Sequence, residues 1–261
     1  MTISASLVKE LRERTGAGMM DCKRALEDTG GDIDAAVKLL REKGIAAAGK
    51  RADRATTEGK VLSRASGAGT TMVAVGCETE PVSNNDEFLA FASAVLDAVE
   101  QGGPDAVGSL EERRVELVAK LGENIGVVGA ARYDAGNGIV SAYVHPPASK
   151  IGVLVRLDGG SEELARQVAM HVSFSAPRYV ARDEVPAEAV EAEREILEKL
   201  PDVQSKPENI RPKIIEGMLQ KRFFAESVLA DQAWIHDDSK TVGQALGGAT
   251  VVEFVRFALA G

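Results

Sequence analysis

Apolar positions along this chain recur at two spacings, and the changes from one to the other divide it into segments. The first segment has helical spacing. Leu7, Val8 and Leu11 share one face of a first helix, which Ser4 or Ser6 can cap and Gly16 ends. A second helix is predicted from about Met19 to Asp28, with Met20, Ala25 and Leu26 at helical spacing and a stop at Gly30-Gly31. Asp32 caps a third, whose stripe is Ile33, Ala36, Val37 and Leu40 and which Gly44 closes. Three helices of this size form a marginal core, and small bundles of this kind usually serve as docking modules. Residues 45 to 58 carry small and charged side chains without a clean stripe and read as a linker, in part helical.

The spacing then changes, and a pattern occurs twice. The first copy has Gly59-Lys60-Val61, an apolar strand Met72-Val73-Ala74-Val75, and a helix with Phe88, Phe91, Ala92 and Val95 on one face. The second has Gly138-Ile139-Val140, a strand Ile151-Gly152-Val153-Leu154-Val155, and a helix with Leu164, Val168 and His171 on one face. Each copy reads as a β-hairpin followed by a packed helix. Between them lie a helix near Leu110 to Leu121 and a strand near Val127 to Tyr133. From Pro186 helical spacing returns, with Ala189, Ile196, Leu197 and Leu200 in one helix and Ile214, Met218, Leu219, Ala225 and Val228 in another. The run Ser205-Lys206-Pro207-Glu208 between them has the form of a capping box, although Pro212 also suits a helix start. A capped short helix, Thr241 to Leu246, and a strand, Thr250 to Leu259, close the chain.

 
That last strand, residues 250 to 259, is expected to return to the sheet of the second copy.

The predicted class is therefore α+β. A three-helix domain resembling ubiquitin-associated (UBA) domains spans 1-50, and a first core subdomain spans 51-136. A second core subdomain is built from 137-185 and 230-261, with an antiparallel helical hairpin, 186-229, inserted into it.

Composition narrows the function. Lys and Arg number 31 against 40 Asp and Glu, a formal net charge of -9, which is the wrong sign for a free-standing nucleic-acid binder. The local cluster Lys50, Arg51 and Arg54 reads as a solvated linker. Aromatics are 4% of the chain and offer few stacking platforms for bases. The first residues carry no apolar signal core and no apolar run is long enough to span a bilayer, so a cytoplasmic protein is expected. The two cysteines, Cys22 and Cys77, have no metal-ligand spacing and read as small buried hydrophobes.

Catalytic chemistry is hard to find. No two of His145, His171 and His236 have ligand spacing, and His171 on an apolar helix face reads as a core histidine. Gly16-Ala17-Gly18 lies between helices without the strand or the Lys-Ser/Thr pair of a phosphate loop. Glu78-Thr79-Glu80 places two carboxylates after a strand with no partner acid, base or phosphate binder, so it reads as a solvated or partner-facing loop. No cofactor and no metal is expected.

Several runs carry a family resemblance. They are Leu7-Val8-Lys9-Glu10-Leu11-Arg12, Thr15-Gly16-Ala17-Gly18-Met19-Met20-Asp21-Cys22-Lys23 and Gly31-Asp32-Ile33. Further along come Cys77-Glu78-Thr79, Ala119-Lys120-Leu121-Gly122-Glu123-Asn124-Ile125, Ala169-Met170-His171 and Ser239-Lys240-Thr241-Val242-Gly243. In this order they resemble elongation factor Ts over essentially the whole chain.

That resemblance implies a guanine-nucleotide exchange factor, not an enzyme. It would bind elongation factor Tu in its GDP-bound and nucleotide-free states, promote loss of Mg²⁺ and GDP, and be displaced by GTP. It implies no direct contact with nucleic acid or membrane. Thr79, Glu80, Pro81 and Val82 stand where the family has its Mg²⁺-dislocating motif, usually Thr-Asp-Phe-Val. Glu keeps the acid with a longer reach, whereas Pro replaces the aromatic wedge with much less bulk. Arg12, Met19 and Met20 match the family's N-terminal contact, the two methionines reading equally well as bundle core. His145 matches a partner-facing histidine by position, or else is a turn residue before two prolines. The hairpin could pair two copies into a homodimer or touch the partner. Two other classes compete: a UBA-type adaptor without exchange activity, which leaves the matches after residue 70 unexplained, and a cysteine enzyme built on Cys77 with His145.

Overall fold

The computed structural model describes residues 3–67 and 69–259. Its architecture is α+β: an N-terminal helical bundle, two three-stranded antiparallel sheets and a helical insertion.

The bundle consists of α1 (Ala5–Thr15), α2 (Met19–Asp28) and α3 (Ile33–Arg51). Ser4 and Asp32 cap α1 and α3, each accepting from a backbone amide, and Gly16 ends α1 in the left-handed conformation. Val8, Leu11, Cys22, Ala25, Leu26 and Ala36 form its core. Met20, expected on the buried stripe of α2, is exposed, and Cys22 takes its place.

Gly44 does not close the third helix, which continues two turns further. Gly44 is buried at a close crossing with α6 (Glu111–Leu121), where a Cβ built on it would stand 3.0 Å from the Cβ of Ala119. Ala36, Gly44 and Ala48 are the buried positions of α3. Glycine and alanine at the last two of these explain why no clean apolar stripe was visible beyond Leu40. Ala48 already belongs to the core of the first sheet, so α3 joins the bundle directly to it.

That sheet has the order β1 (Glu58–Ser66), β2 (Gly69–Cys77), β3 (Ile125–Tyr133). The second has the order β4 (Ile139–Val144), β5 (Ile151–Asp158), β8 (Thr250–Ala258), so the final strand does return to it. The central strands are covered on both faces, which is why each reads as a near-continuous apolar run. Val73, Val75 and Cys77 of β2 pack toward α5 (Asp86–Gly102) and α6. Met72 and Ala74 meet Leu154 of the other sheet. On β5, Val153, Val155 and Leu157 pack toward α7 (Glu162–Ser175). Two glycines permit the face-to-face contact: a Cβ on Gly152 would collide with Val61 and Met72, and one on Gly129 with the Phe257 ring.

The insertion folds as α8 (Ala187–Glu198), α9 (Pro201–Gln204) and α10 (Arg211–Met218), around a core that includes Leu197, Val203, Ile215, Leu219 and Phe224. Ile196, expected on that core's stripe, is exposed. The predicted capping box is not formed. The Ser205 hydroxyl donates to the Asp202 carbonyl, and the next helix begins at Arg211 with Pro212 in its first turn. A π turn over Leu219–Phe224 brings two residues five apart onto the same buried face. A small hairpin, β6 (Ala233–Trp234) with β7 (Asp237–Thr241), follows. The turn Val242–Ala245 then carries a complete capping box between Thr241 and Gln244.

His171 is fully buried on α7 as the sequence suggested, hydrogen-bonded to Gln232 at 2.8 Å and stacked on Trp234. The Ile235 amide donates to its Nδ1, which requires a neutral ring. Burial holds its pKa below the ordinary 6.5, with a further lowering from nearby His236. The unfolded chain therefore takes up this proton more readily than the folded one. The stability tied to neutral His171 is present above about pH 6.5 and is lost as pH falls through the folded pKa. Thermal melts at about pH 7.5 and about pH 5.5 should show a smaller loss of Tm for His171→Gln than for the unmodified protein. At the α3–α6 crossing, Gly44→Leu should cost about 1–3 kcal/mol by overpacking. Gly44→Ala should be near neutral, because its helix propensity gains about 1 kcal/mol against the tight contact. Denaturant unfolding of the two variants checks both.

Candidate functional site, a braced turn after the central strand

The four residues Thr79 to Val82 leave the end of β2 and enter a single helical turn, α4 (Glu80–Ser83), with Pro81 in its first positions. Thr79, Glu80 and Pro81 are exposed, while Val82 is half-buried against the core of the first sheet. The turn thus presents its carboxylate and its proline outward and is rooted by its valine.

Its base is held by two carboxylates acting in opposite directions. Glu123, in the turn between α6 and β3, accepts from the Glu78 amide at 3.1 Å, the Thr79 amide at 3.0 Å and the Thr79 hydroxyl at 2.6 Å. In return Glu78 accepts from the Asn124 amide at 2.6 Å. The Asn124 side chain donates to the carbonyls of Ala52 and Arg54, just beyond α3, and the Arg54 guanidinium reaches Glu78 at 3.4 Å. Arg54, read from sequence as solvated linker, is therefore part of this knot. Thr79 occupies the N-cap position of α4, where a threonine hydroxyl ordinarily accepts from a helix amide. Here it makes no cap and donates to Glu123 instead.

Cys77 lies directly beneath the turn, fully buried, its thiol donating to the Thr79 carbonyl at 3.3 Å. Burial, reinforced by the Glu123 charge, pushes its pKa up to about 12. A thiol held protonated in this way is a poor nucleophile at neutral pH. Among the described residues no group of three or more His, Cys, Asp or Glu is placed to hold a metal ion.

The other sequence-predicted residues lie in the β4–β5 connection and in the N-terminal bundle. His145, exposed in the β4–β5 connection, bonds the Tyr143 hydroxyl through Nδ1 at 3.0 Å. That connection lies at the same end of the molecule as the turn. Lys150 pairs with Glu58 at 2.5 Å, and Glu58 stands opposite Cys77 in the sheet register. Arg12 lines a cleft of about 910 Å³ between the bundle and the core. Glu87 and Lys120 line the same cleft; they are paired at 2.7 Å, with the Lys120 side chain lying over Gly16. Met19 and Met20 are each 60% exposed, so neither belongs to the bundle core. They stand apart from the cleft, on the first turn of α2.

Glu123 and Asn124 had no assigned role in the sequence beyond their place in a matching run. The local signal was Gly122, a left-handed helix C-cap, followed by two polar residues immediately before an apolar strand.

Comparison with known proteins gives the family. The Elongation factor TS family model matches residues 78–261. Elongation factor Ts of Alkalilimnicola ehrlichii is 44% identical over 275 residues, covering 98% of this chain and 92% of that protein. Those of Idiomarina loihiensis and Methylococcus capsulatus are 44% and 41% identical, each match covering 98% of this chain and 91% and 92% of the respective protein. The chain belongs to the elongation factor Ts family, a family of translation elongation factors. Among the described residues no helix is long and apolar enough to cross a membrane.

With Cys22 and Cys77 both buried, titration of the native protein with a thiol reagent near neutral pH should give no fast-reacting group. Both thiols should react after denaturation. Rapid modification of Cys77 in the native state would restore it as a candidate nucleophile.

Proposed function

We propose that this chain is a guanine-nucleotide exchange factor for elongation factor Tu. It binds the GDP-bound partner, promotes release of Mg²⁺ and GDP, and leaves as GTP binds. The observation that carries this reading is the braced turn at 79–82, which holds an exposed carboxylate and proline on a base tied to two other parts of the chain. Thr79, Glu80, Pro81 and Val82 form the group that acts on the partner's Mg²⁺ site. The exposure of Met19 and Met20, and the place of Arg12 in the cleft, support a second contact through the N-terminal bundle. His145 supplies a third from the second sheet. In this reading residues 1-50 dock, 51-136 and 137-185 with 230-261 form the core, and 186-229 is an insertion.

The mechanism is linkage. A factor that binds the nucleotide-free form more tightly weakens nucleotide binding by the same ratio, with no bond made or broken. The local chemistry at Glu80 is electrostatic: a carboxylate brought near a bound Mg²⁺ disturbs the ion's coordinated waters and outer ligands. Pro81, without an aromatic ring to insert, fixes the direction of the turn by its locked φ.

The test is stopped-flow release of a fluorescent GDP analogue from elongation factor Tu at fixed Mg²⁺. The unmodified protein should accelerate release; no acceleration would end the proposal. Glu80→Ala should lower the rate about tenfold and Pro81→Ala less than about threefold. Binding of both variants to the nucleotide-free partner should change less than exchange does. A Glu80→Ala rate equal to that of the unmodified protein would shift the work from the acid to rigid docking of the two sheets.

A further inference from the structure

The turn at 79–82 is one helical turn long, too short to stabilise itself. Its only hydroxyl in a capping position is turned away from the helix it could cap. What replaces the cap is a set of three donors converging on one carboxylate, and hydrogen bonds to an ionised acceptor are the stronger kind. That carboxylate belongs to the turn between α6 and β3, 44 residues further along the chain from Thr79. Its neighbour Asn124 binds the chain leaving α3, through the carbonyls of Ala52 and Arg54. The two segments meet at Glu78, which takes the Asn124 amide and the Arg54 guanidinium. The exposed turn and the root of the N-terminal bundle are thus tied to the same two-residue step, Glu123-Asn124.

We infer that Glu123 is a positioning residue for nucleotide exchange: its carboxylate fixes the 79–82 turn relative to the core, and through Asn124 relative to the arm that carries the bundle. The inference rests on the exchange reading above. Glu123 is not a contact for the partner's nucleotide or metal, since its oxygens are occupied by Glu78 and Thr79. Its role is to make the turn stiff before docking. Loss of the carboxylate leaves the core and the docking surfaces in place and lets the turn move. The expected signature is a lower maximal exchange rate with little change in affinity.

The experiment measures GDP release from elongation factor Tu as a function of factor concentration, for the unmodified protein, Glu123→Ala, Glu123→Gln and Thr79→Val. Thermal melts and the affinity for nucleotide-free elongation factor Tu are measured in parallel. Glu123→Ala should lower the saturating rate about tenfold, with the half-saturating concentration changed less than about threefold. Glu123→Gln, which keeps an acceptor but not the charge, should fall between the two. Thr79→Val removes one donor while preserving shape and should lower the rate in the same direction by a smaller factor. The double variant should lose no more than Glu123→Ala alone, because both changes break the same bond.

A folded Glu123→Ala with an unchanged saturating rate overturns the inference. So does a loss of rate accounted for entirely by weaker binding or by a fraction of unfolded protein at the assay temperature. Should Glu123→Ala not fold, Thr79→Val and Glu123→Gln decide the matter, and full rates for both overturn it. If the unmodified protein itself fails to accelerate release, the exchange reading falls, and this inference with it.

Discussion

The close approach of the two sheets is the constraint on which the rest of the molecule depends. Gly152 lies against Val61 and Met72, and Gly129 lies against the Phe257 ring, each where a Cβ would collide. Adding side-chain volume at such a contact typically costs about 1–3 kcal/mol. With the sheets in contact, Met72, Ala74 and Leu154 are buried between them, and the helices have only the outer faces to cover. α5 and α6 cover one of these, α7 the other. The ends of β2 and of β4 are thereby brought to one side of the molecule, where Glu58 pairs with Lys150 across the two sheets. The turn at 79–82 and the connection carrying His145 share a side because of this packing, not because of any direct bond between them.

The same packing fixes the bundle. α3 is one continuous helix whose first half belongs to the bundle core and whose last turns reach the core of the first sheet at Ala48. Helices cross closely only where small residues meet, and Gly44 against Ala119 is such a point. The ion pair between Arg41 and Glu112 lies along the same crossing. Both of its side chains are exposed, so it contributes little by itself. The orientation is set by the glycine contact and the continuity of the helix.

Much of this was legible in the sequence because the signals were strong and local. Two hairpin-and-helix copies announced the two sheets, and β2 and β5 read as apolar runs because both of their faces are covered. Capping by Asp32 and Thr241 was recoverable from residue type alone, and that of α1 was narrowed to Ser4 or Ser6, of which Ser4 is the cap. Gly44 misled, since a glycine after an apolar stripe has the form of a helix stop, and only the distant Ala119 gives it another use. Ser205 misled in the same way: its run has the pattern of a capping box, but its hydroxyl serves the preceding turn. Met20 lies two residues before the buried Cys22, and an apolar pattern in a ten-residue helix does not separate a buried methionine from an exposed one. The candidate site, Thr79 to Val82, was singled out through the family resemblance. The reciprocal bonds of Glu78 and Glu123 were not, because they join segments 45 residues apart and leave no periodicity behind.

Under the proposed exchange reading, those bonds bear on how a protein acts on its partner without chemistry. Free energy released on docking is useful for exchange only to the extent that it appears as a disturbed nucleotide site and not as ordering of the factor itself. Fixing one residue of flexible backbone costs on the order of 1–2 kcal/mol. A mobile turn of four residues would therefore absorb several kcal/mol of docking energy before its carboxylate bore on anything. Holding the amides of Glu78 and Thr79 in advance moves that cost into folding, where the cores of the two sheets offset it. On the same proposed reading, a proline can stand beside the acid. A turn already braced at its base needs only a residue that continues its direction, and Pro81, with its locked φ at the start of α4, does so without an aromatic anchor.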